Sequence, residues 1–508
     1  MIKWHKSPRT FFIIAGIFLA VALVPTISGC SLGKESQTTL NRVIEAVGDR
    51  FRPLPPEAKL EFKRFVEVYK KYATKPVKDS LDYFNFAFKR VRTKYVHKVS
   101  DKILIDSSIE GVTDLKREPH SIKPDQVVEV ALDKMVTSLD PHSSYLNKEE
   151  FKESFIQTKG EFGGLGIEVT MQDGVVKIVA PIEDTPAERA GVFSGDLITH
   201  VDGKSIKNLG LSQSVRRMRG TPGSAVRLTI KRDGVDAFDV TIIRAIIKVR
   251  AIRWKTIGPV GYIRVSRFSE RVESGIMEAL AAIRAKLDDK ITGFILDLRN
   301  NPGGLLDQSV ILADTFLDNG EIVSIRGRDE INDRIFLADD EDLAEGLPIV
   351  VLINGGSASA SEIVASALKY HNRAVVMGTS SFGKGSVQTI IPMPGEGALR
   401  LTTALYYGPD GNSIQARGVS PDIQIVSDII KEKQNRETDL PGFLPGQTRL
   451  NFERVATITN RACPGIKGSR QISRKVKNED RTLGCAVAYF GFKSRQSFLA
   501  AYSRSSKM

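Results

Sequence analysis

Three serines in a run of small residues give the strongest chemical signal in the sequence. The run is NGGSASASE over residues 354–362, and it follows the apolar stretch Ile349–Ile353, which is typical of a buried strand. Small side chains allow a tight turn from strand to helix that exposes a serine hydroxyl beside the free N–H groups of the helix start. The run favours a serine nucleophile, although an ordinary helix cap fits the same residues. It differs from the G-x-S-x-G elbow of α/β-hydrolases, because serine occupies the final glycine position.

A serine nucleophile needs a base, and the histidines are poorly placed to supply one. The chain has 6 histidines, and His371 would lie at the far end of the helix that the serines open, ~18 Å away at about 1.5 Å per residue. Lysine is the alternative, since loss of water around its amine lowers the pKa. Lys384 stands between glycines in FGKGSVQ, residues 382–388, where Gln388 could orient the amine. The competing interpretation of Lys384 is a solvated turn residue.

A third segment could stabilise negative charge. Residues 297–304, DLRNNPGG, come at the end of the apolar stretch Gly293–Leu298, and Gly303 and Gly304 follow a proline. Their backbone N–H groups could stabilise the oxyanion of an acyl-transfer reaction. An ordinary turn into a helix fits these residues as well.

These segments belong to a region in which strands and helices alternate. From about residue 260 to 425 the alternation predicts crossover units and a mostly parallel sheet. Residues 160–244 instead predict short strands separated by glycine turns, with helices near Pro186–Ala190 and Leu211–Arg219. The rest of the chain, to Met508, is predicted to be irregular apart from a helix around residues 483–490.

Helical periodicity precedes both regions. It runs from residue 62 to 95 with a break at Pro76, and a further helix is predicted from about Pro124 to Leu139. The apolar faces of these helices are expected to pack on the same chain. A dimerisation arm, which would make the protein a homodimer, is the alternative.

The N-terminus is typical of an export signal. Residues 1–10 contain three basic and no acidic side chains, and residues 11–24 are almost entirely apolar but too few for a comfortable membrane span. Ile27, Ser28 and Gly29 before Cys30 resemble a bacterial lipobox, in which Cys30 would be lipidated after removal of residues 1–29. An ordinary cleaved signal and an uncleaved anchor remain alternatives. Each of the three predicts a protein exported to the periplasmic or cell-envelope side.

Composition narrows the class of protein. The chain has 508 residues, 41% hydrophobic and 26% charged, which is a globular profile long enough for about three domains. It has only 3 cysteines and no CxxC pair, which argues against a disulfide scaffold or a zinc site, although Cys463 and Cys485 could pair outside the cytoplasm. The net charge of +13 suggests an anionic partner.

Most of that positive charge lies outside the predicted domains. Residues 428–508 hold 16 Lys and Arg against 7 Asp and Glu. The remaining excess is mainly in the export signal. A nucleic-acid partner is therefore not expected, and the basic tail is predicted to contact an anionic envelope surface.

Together, the segments resemble the carboxyl-terminal processing proteases, a family of Ser/Lys peptidases. The family shares DLRNNPGG, GSASASE and FGKGSVQ in this order, and also SLDPHSSYL over residues 138–146, YGPDG over 407–411 and GVSPDI over 418–423. The resemblance covers about residues 80–426. It implies an α/β multidomain protein with a ClpP/crotonase-like, mostly parallel core over residues 250–426, an inserted β-rich PDZ domain over 160–244 and an N-terminal helical region over 57–158.

The resemblance also implies roles for individual residues. Ser359 would be the nucleophile, Lys384 the general base and Gln388 the residue that orients it. The backbone N–H of Ala360, with Gly303 or Gly304, would form the oxyanion hole. The side chains of Asp297, Arg299 and Glu362 are expected to brace loops.

The glycine-turn unit resembles a PDZ domain. Within residues 163–167, GGLGI, the positions Gly164, Leu165, Gly166 and Ile167 would bind a substrate C-terminus, which would add as a strand beside residues 166–171. The glycines do not match the dinucleotide fingerprint, because they precede a strand and open no helix.

The expected function is therefore an exported serine endopeptidase that needs no metal or cofactor. It would recognise protein or peptide substrates by their free C-termini, from a membrane anchor at Cys30 or at an uncleaved signal. A catalytically silent PDZ scaffold is the main alternative. An acyl-CoA enzyme of the crotonase type is disfavoured by the export signal and the PDZ-like unit.

Overall fold

The computed structural model describes residues 53–182, 185–248, 250–329, 333–395, 397–426, 436–446, 455–467 and 479–504. The predicted export signal and Cys30 lie outside the described residues. The chain divides into two compact units, Met1–Leu60 and Glu61–Met508. Within the described residues, no helix is both long and apolar enough to cross a bilayer.

The N-terminal region is helical. Its elements are α1 (Pro56–Tyr72), α2 (Lys78–Lys94), α3 (Asp101–Thr113), α4 (Pro124–Thr137), β1 (Ser144–Leu146) and α5 (Lys148–Lys159). Phe84, Phe88 and Val91 share the buried face of α2, as their spacing predicts. The sequence analysis missed α3, which begins after the N-cap Ser100.

A separate β-rich unit follows. Its elements are β2 (Glu161–Gly164), β3 (Ile167–Gln172), β4 (Val175–Pro181), α6 (Pro186–Arg189), β5 (Leu197–Val201), β6 (Lys204–Ser205), α7 (Leu211–Met218), β7 (Ala225–Arg232), β8 (Val235–Ile243) and β9 (Ala245–Lys248). The strand order β3-β4-β5-β7-β8 leaves β3 at one edge of the sheet. Alternate residues of β3 pack against this unit's own apolar core.

The remaining elements form the main α/β body. They are β10 (Ile252–Ile257), β11 (Val260–Val265), α8 (Val272–Leu287), β12 (Gly293–Asp297), α9 (Leu306–Asp314), β13 (Glu321–Gly327), β14 (Arg334–Leu337), β15 (Ile349–Ile353), α10 (Ala360–Tyr370), β16 (Ala374–Gly378), β17 (Ser386–Pro392), β18 (Ala398–Tyr407), β19 (Ile423–Val426), β20 (Ala456–Thr459), β21 (Ile466–Lys467), β22 (Glu479–Asp480), α11 (Arg481–Tyr489) and α12 (Arg495–Arg504).

A seven-stranded sheet organises this body. Its order is β10-β11-β12-β15-β16-β19-β20, and every pair except β10–β11 is parallel. All residues of β12 and β15 are buried, which fits central parallel strands covered on both faces. One apolar cluster includes α8, α9 and α10, and another includes Leu483, Cys485 and Phe498 of the C-terminal helices.

A second, antiparallel sheet was not foreseen. It runs β1-β18-β13-β14, with β17 also paired to β18. The stretch around Ile322–Ile325 was expected to alternate with helices like its neighbours, but it forms β13 of this other sheet. A short apolar stretch fits either kind of sheet, so the pattern alone could not separate the two.

The described residues after 426 contain more regular structure than the sequence predicts. Strand β20 adds to the edge of the main sheet in parallel with β19, and α11 and α12 bury side chains against that sheet. Cys463 and Cys485 form a disulfide, with a Cα–Cα distance of 5.0 Å. The described parts of this region are therefore packed against the α/β body.

Candidate active site

Three predicted segments meet at the carboxyl ends of neighbouring strands. The DLRNNPGG segment leaves β12, the serine run leaves β15, and the lysine segment follows β16. Because these strands are adjacent and parallel, their carboxyl ends lie along one edge of the sheet, a common position for functional loops in α/β proteins.

Ser359 occupies an unusual backbone position before α10. Its φ is 54° and its ψ is −116°, a conformation that residues with a side chain rarely adopt and that is found at functional sites. The hydroxyl of Ser357 donates to the carbonyl of Leu298 at 2.8 Å, and that of Ser361 donates to the carbonyl of Asn301 at 2.9 Å. Ser359 Oγ donates no hydrogen bond to a described residue, so it is the serine of the three that is available for chemistry.

Gly303 allows the DLRNNPGG loop to approach this serine. Its φ is 97°, and a Cβ at this position would lie 2.8 Å from Ser359 Cβ and 3.0 Å from the nitrogen of Ala360. The loops are also joined by hydrogen bonds. The carbonyl of Asn301 accepts from the N–H of Ala358 at 3.0 Å, and Asn354 Oδ1 accepts from the N–H of Asn300 at 2.9 Å. A side chain at position 303 would force these loops apart.

The candidate oxyanion donors differ in whether they are already bonded. The N–H of Gly303 donates to Asn301 Oδ1 at 2.9 Å. Neither the N–H of Gly304 nor that of Ala360 donates to a described residue. The arrangement therefore favours Gly304 and Ala360 as the pair that could receive an oxyanion beside Ser359.

One buried carboxylate joins the serine and lysine segments. Glu362 Oε2 accepts from the N–H groups of Ser359 at 2.7 Å and Lys384 at 2.9 Å. Its other oxygen accepts from Ser381 Oγ at 2.5 Å and from the N–H of Gly383 at 2.7 Å. Burial raises the pKa of Glu362 to about 7, although all four donors favour the anion. Glu362 thus joins the two loops, the role that the family resemblance implied for it.

Lys384 has the surroundings of a lysine base. Its Nζ donates to Gln388 Oε1 at 2.6 Å, so the amine and the residue predicted to orient it are in contact. Burial lowers the pKa of Lys384, while Glu437 raises it and Arg400 lowers it. A lowered pKa increases the fraction of neutral amine that can accept a proton.

Gln388 is itself held by a series of hydrogen bonds that the sequence did not reveal. Gln388 Nε2 donates to Thr402 Oγ1 at 3.2 Å, and Thr402 Oγ1 donates to Asp140 Oδ1 at 3.1 Å. Asp140 also accepts from Ser143 Oγ at 2.6 Å. The sequence signal was the SLDPHSSYL segment, which had been noticed without a role, whereas Thr402 lies in an ordinary strand pattern.

Asp297 and Arg299 hold the start of the DLRNNPGG loop. Asp297 is fully buried and accepts from Tyr262 Oη and from the guanidinium groups of Arg264 and Arg299. Although burial opposes it, these partners lower the pKa of Asp297. Arg299 also pairs with Asp480 at 2.7 Å, which connects this loop to α11.

The predicted peptide-binding positions lie in the β-rich unit. Gly164 ends β2 and Ile167 begins β3, while the side chain of Leu165 is buried in the core of this unit. Gly166 has a φ of 81°, and a Cβ there would lie 2.2 Å from Thr185. The N–H groups of Leu165 and Gly166 donate to no described residue, although both residues are buried.

In the described part of the chain, no group of three or more His, Cys, Asp and Glu side chains is arranged to hold a metal ion.

The chain has clear relatives among known proteins. Residues 259–425 match Peptidase family S41, and residues 163–242 match the PDZ domain family. The chain is 48% identical over 372 residues to a carboxy-terminal-processing protease of Bartonella bacilliformis, covering 72% of this chain and 80% of that protein. It is 37% identical over 303 residues to a probable CtpA-like serine protease of Staphylococcus aureus, covering 59% and 60%. A photosystem II D1 C-terminal processing protease of known structure is 29% identical with a TM-score of 0.44, covering 69% of this chain and 93% of that one.

Proposed function

Because the chain belongs to Peptidase family S41 and is a serine-type protease with a PDZ domain, we propose that it recognises the free C-termini of exported proteins and cleaves them by Ser/Lys acyl-enzyme chemistry. One observation carries the catalytic part of this proposal. A single oxygen of Glu362 accepts hydrogen bonds from the backbone N–H groups of both Ser359 and Lys384, so the backbones of the proposed nucleophile and the proposed base lie next to each other.

The reaction would begin at Ser359. Neutral Lys384 takes the hydroxyl proton while Oγ attacks the substrate carbonyl, and the N–H groups of Ala360 and Gly304 receive the developing oxyanion. The protonated lysine then donates its proton to the leaving amine, which leaves an acyl group on Ser359. Water, activated by the same amine, hydrolyses this ester and restores the enzyme.

Capture of the substrate would occur in the PDZ domain. Strand β3 is an edge strand, and the N–H groups of Leu165 and Gly166, which donate to no described residue, lie just before its start. An extended peptide could add to β3 as a further strand and place its carboxylate at these N–H groups. The half-buried side chains of β3 and α7 supply apolar surface on the same core, which suits an apolar substrate terminus.

The setting of the enzyme follows from the N-terminal sequence. The export signal and the residues before Cys30 support an exported, lipid-anchored protein on the periplasmic or cell-envelope side of the membrane, with a signal anchor as the alternative. The disulfide between Cys463 and Cys485 favours an oxidising compartment. Replacement of Cys30 by serine should release the protein from the membrane fraction, and its retention there would count against lipidation.

Two structural proposals accompany the activity. The parallel sheet with crossover helices supports a ClpP/crotonase-like core. The amphipathic N-terminal helices support a homodimer, since Ile103 of α3 is 55% exposed. Sedimentation of the wild type and of Ile103→Lys tests the dimer, which the charged variant should weaken.

The decisive comparison uses one peptide with a free and with an amidated C-terminus. We expect the wild type to prefer the free form, and Ser359→Ala and Lys384→Ala to cleave neither form while still binding the free one. A catalytically silent PDZ scaffold would bind the free peptide without turnover in the wild type. Equal cleavage of both forms would remove the proposed role of the C-terminus and leave the protease assignment intact.

A further inference from the structure

A second buried carboxylate lies beside the lysine segment and has no part in the mechanism above. Glu437 opens a single 3₁₀ turn, Glu437–Asp439, in the described segment 436–446. It lies beyond the last residue that matches the peptidase family, which is residue 425. Its side chain has no exposed surface, and a fully buried carboxylate is kept only where it is well bonded.

Glu437 is bonded to three separate parts of the chain. Its backbone N–H donates to the carbonyl of Phe382 at 3.0 Å. Its Oε1 accepts from Gln415 Nε2 at 2.9 Å, and its Oε2 lies 2.8 Å from His142 Nε2. The C-terminal segment therefore joins regions that are far apart in the sequence.

Each of these partners lies next to the support of Lys384. Phe382 precedes the lysine by two residues. Gly385 immediately follows the lysine, and its N–H donates to Gln415 Oε1 at 2.8 Å. The N–H of His142 donates to Asp140 Oδ1 at 2.8 Å. Asp140 in turn accepts from Thr402, which accepts from Gln388. Glu437 thus fastens both the backbone of the lysine segment and the loop that orients its amine.

We propose that Glu437 is a positioning residue for Lys384, and that the C-terminal segment carrying it is part of the catalytic apparatus. The proposal rests on the proposed role of Lys384 as the base. It requires that Glu437 act on the Lys384 amine in two ways. One is through the hydrogen-bonded residues that position the amine, and the other is the electrostatic effect of the Glu437 charge. A residue needed only for folding would lack the second effect.

The charged groups around Lys384 determine in which direction the Glu437 charge shifts the pKa of the amine. Glu437 from the C-terminal segment, Glu362 from α10 and Asp140 from the loop before β1 raise the pKa of the amine, whereas Arg400 of β18 lowers it. His142 is the titratable group that contacts Glu437. Removal of the Glu437 charge should therefore lower the pKa of Lys384 further and move the acidic limb of the kcat/KM profile to lower pH.

The test compares Glu437→Gln with Asp439→Asn in the full-length protein. Both variants remove one negative charge from the same turn. Asp439, however, accepts a hydrogen bond from the N–H of Arg436 and contacts none of the residues that position Lys384. We expect Glu437→Gln to lower kcat about tenfold or more and to shift the acidic limb down by about half a pH unit. Asp439→Asn should retain the wild-type limb and rate.

Glu437→Asp separates charge from geometry, because it keeps the anion on a shorter side chain. Glu437→Asp should lower kcat while the acidic limb of the kcat/KM profile stays near its wild-type pH. This variant also tests the proposal if Glu437→Gln does not fold. A wild-type profile for both Glu437 variants, or a fall in kcat with no shift of the limb in Glu437→Gln, would overturn the proposal. If Lys384→Ala is inactive while Glu437→Gln behaves as wild type, the proposed function survives and only this inference fails.

Discussion

Glu362 illustrates how a single side chain determines the geometry of the site. It occupies the third position of α10, one turn from Ser359, and accepts four hydrogen bonds, one from the serine segment and three from the segment 381–384. From the sequence, its proximity to the serines was evident, but its contact with Ser381 and Gly383 was not, because these residues are brought to it by the neighbouring strand β16. The local serine and glycine patterns were thus sufficient to identify the catalytic candidates but not the carboxylate that joins them.

Glu362→Gln should alter both stability and its dependence on pH. The pKa of Glu362 is raised to about 7 from an ordinary 4.5, so the carboxyl group binds its proton more tightly in the folded protein than in the unfolded chain. The free energy of unfolding should therefore fall as pH rises from about 4.5 to about 7, by on the order of 3 kcal/mol from this group. Urea unfolding at several pH values should reveal a flatter dependence in Glu362→Gln.

The same variant should lose activity, because an amide NH₂ cannot accept from two of the four donors. The exposed Glu278→Gln on α8 is the matched control and should behave as the wild type. An unchanged pH dependence in Glu362→Gln would contradict the assigned titration.

Gly303→Ala should abolish most of the activity. The new Cβ would lie 2.8 Å from Ser359 Cβ, so the serine and the oxyanion loop would have to separate. Gly195→Ala is a matched control, since its φ of 96° is almost the same but no atom lies within 4 Å of its Cβ. Both variants should lose about 1 kcal/mol of stability from backbone strain, and only Gly303→Ala should lose turnover. Equal activity losses would indicate that close approach to Ser359 is not the cause.

Lys384→Arg should be inactive at every pH. An arginine keeps the positive charge but does not deprotonate in proteins, so it cannot accept the proton of Ser359. In the wild type, kcat/KM should rise with pH as the lysine loses its proton, at a pH below the ordinary lysine pKa because burial lowers it. The exposed Lys290→Arg should leave the profile unchanged. Activity in Lys384→Arg would require another base.

At the scale of elements, the parallel strands decide which loops meet. The sequence predicted β12 and β15 well, because their continuous apolar residues are typical of strands buried on both faces. It did not predict the antiparallel sheet that contains β17 and β18, whose pairing places Thr402 opposite Gln388. That contact joins residues from two strands and then Asp140 from the helical region, so no local pattern contains it.

The β-rich unit yields a test of element function. Val215 lies on α7 and packs on the same apolar core as β3, so Val215→Glu should repel a substrate carboxylate and raise KM for a peptide with a free C-terminus about tenfold. Cleavage of the amidated peptide should change little. Gln213→Glu adds the same charge on the exposed side of α7 and is the control. A similar rise in KM for both peptides would place the effect outside C-terminus recognition.

At the scale of the whole molecule, the C-terminal region departs most from expectation. Its composition and pattern suggested an irregular basic tail, yet β20 extends the main sheet and Asp480, the N-cap residue of α11, pairs with Arg299. Composition gives only the average charge of the region. The added strand is the four-residue stretch Ala456–Thr459, which is too short for its pattern to be distinguished from that of an irregular segment. The pairing of Cys463 with Cys485, raised from the sequence, is present.

Loss of this disulfide should loosen the C-terminal region. Cys463→Ser with Cys485→Ser should lower the free energy of unfolding by about 2–4 kcal/mol, as measured in denaturant without reductant. Reductant should destabilise the wild type by a similar amount and leave the double variant unchanged. If reductant did not alter the unfolding of the wild type, the bond would have no part in its stability.

The central claim is that Ser359, activated by Lys384, forms the acyl-enzyme. It is tested most directly by reacting the protein with a fluorophosphonate that modifies activated serines, followed by mass spectrometry of the proteolytic peptides. The account predicts one adduct, on Ser359, in the wild type, and little or none in Lys384→Ala. An adduct confined to another serine, or full peptide cleavage by Ser359→Ala, would contradict it.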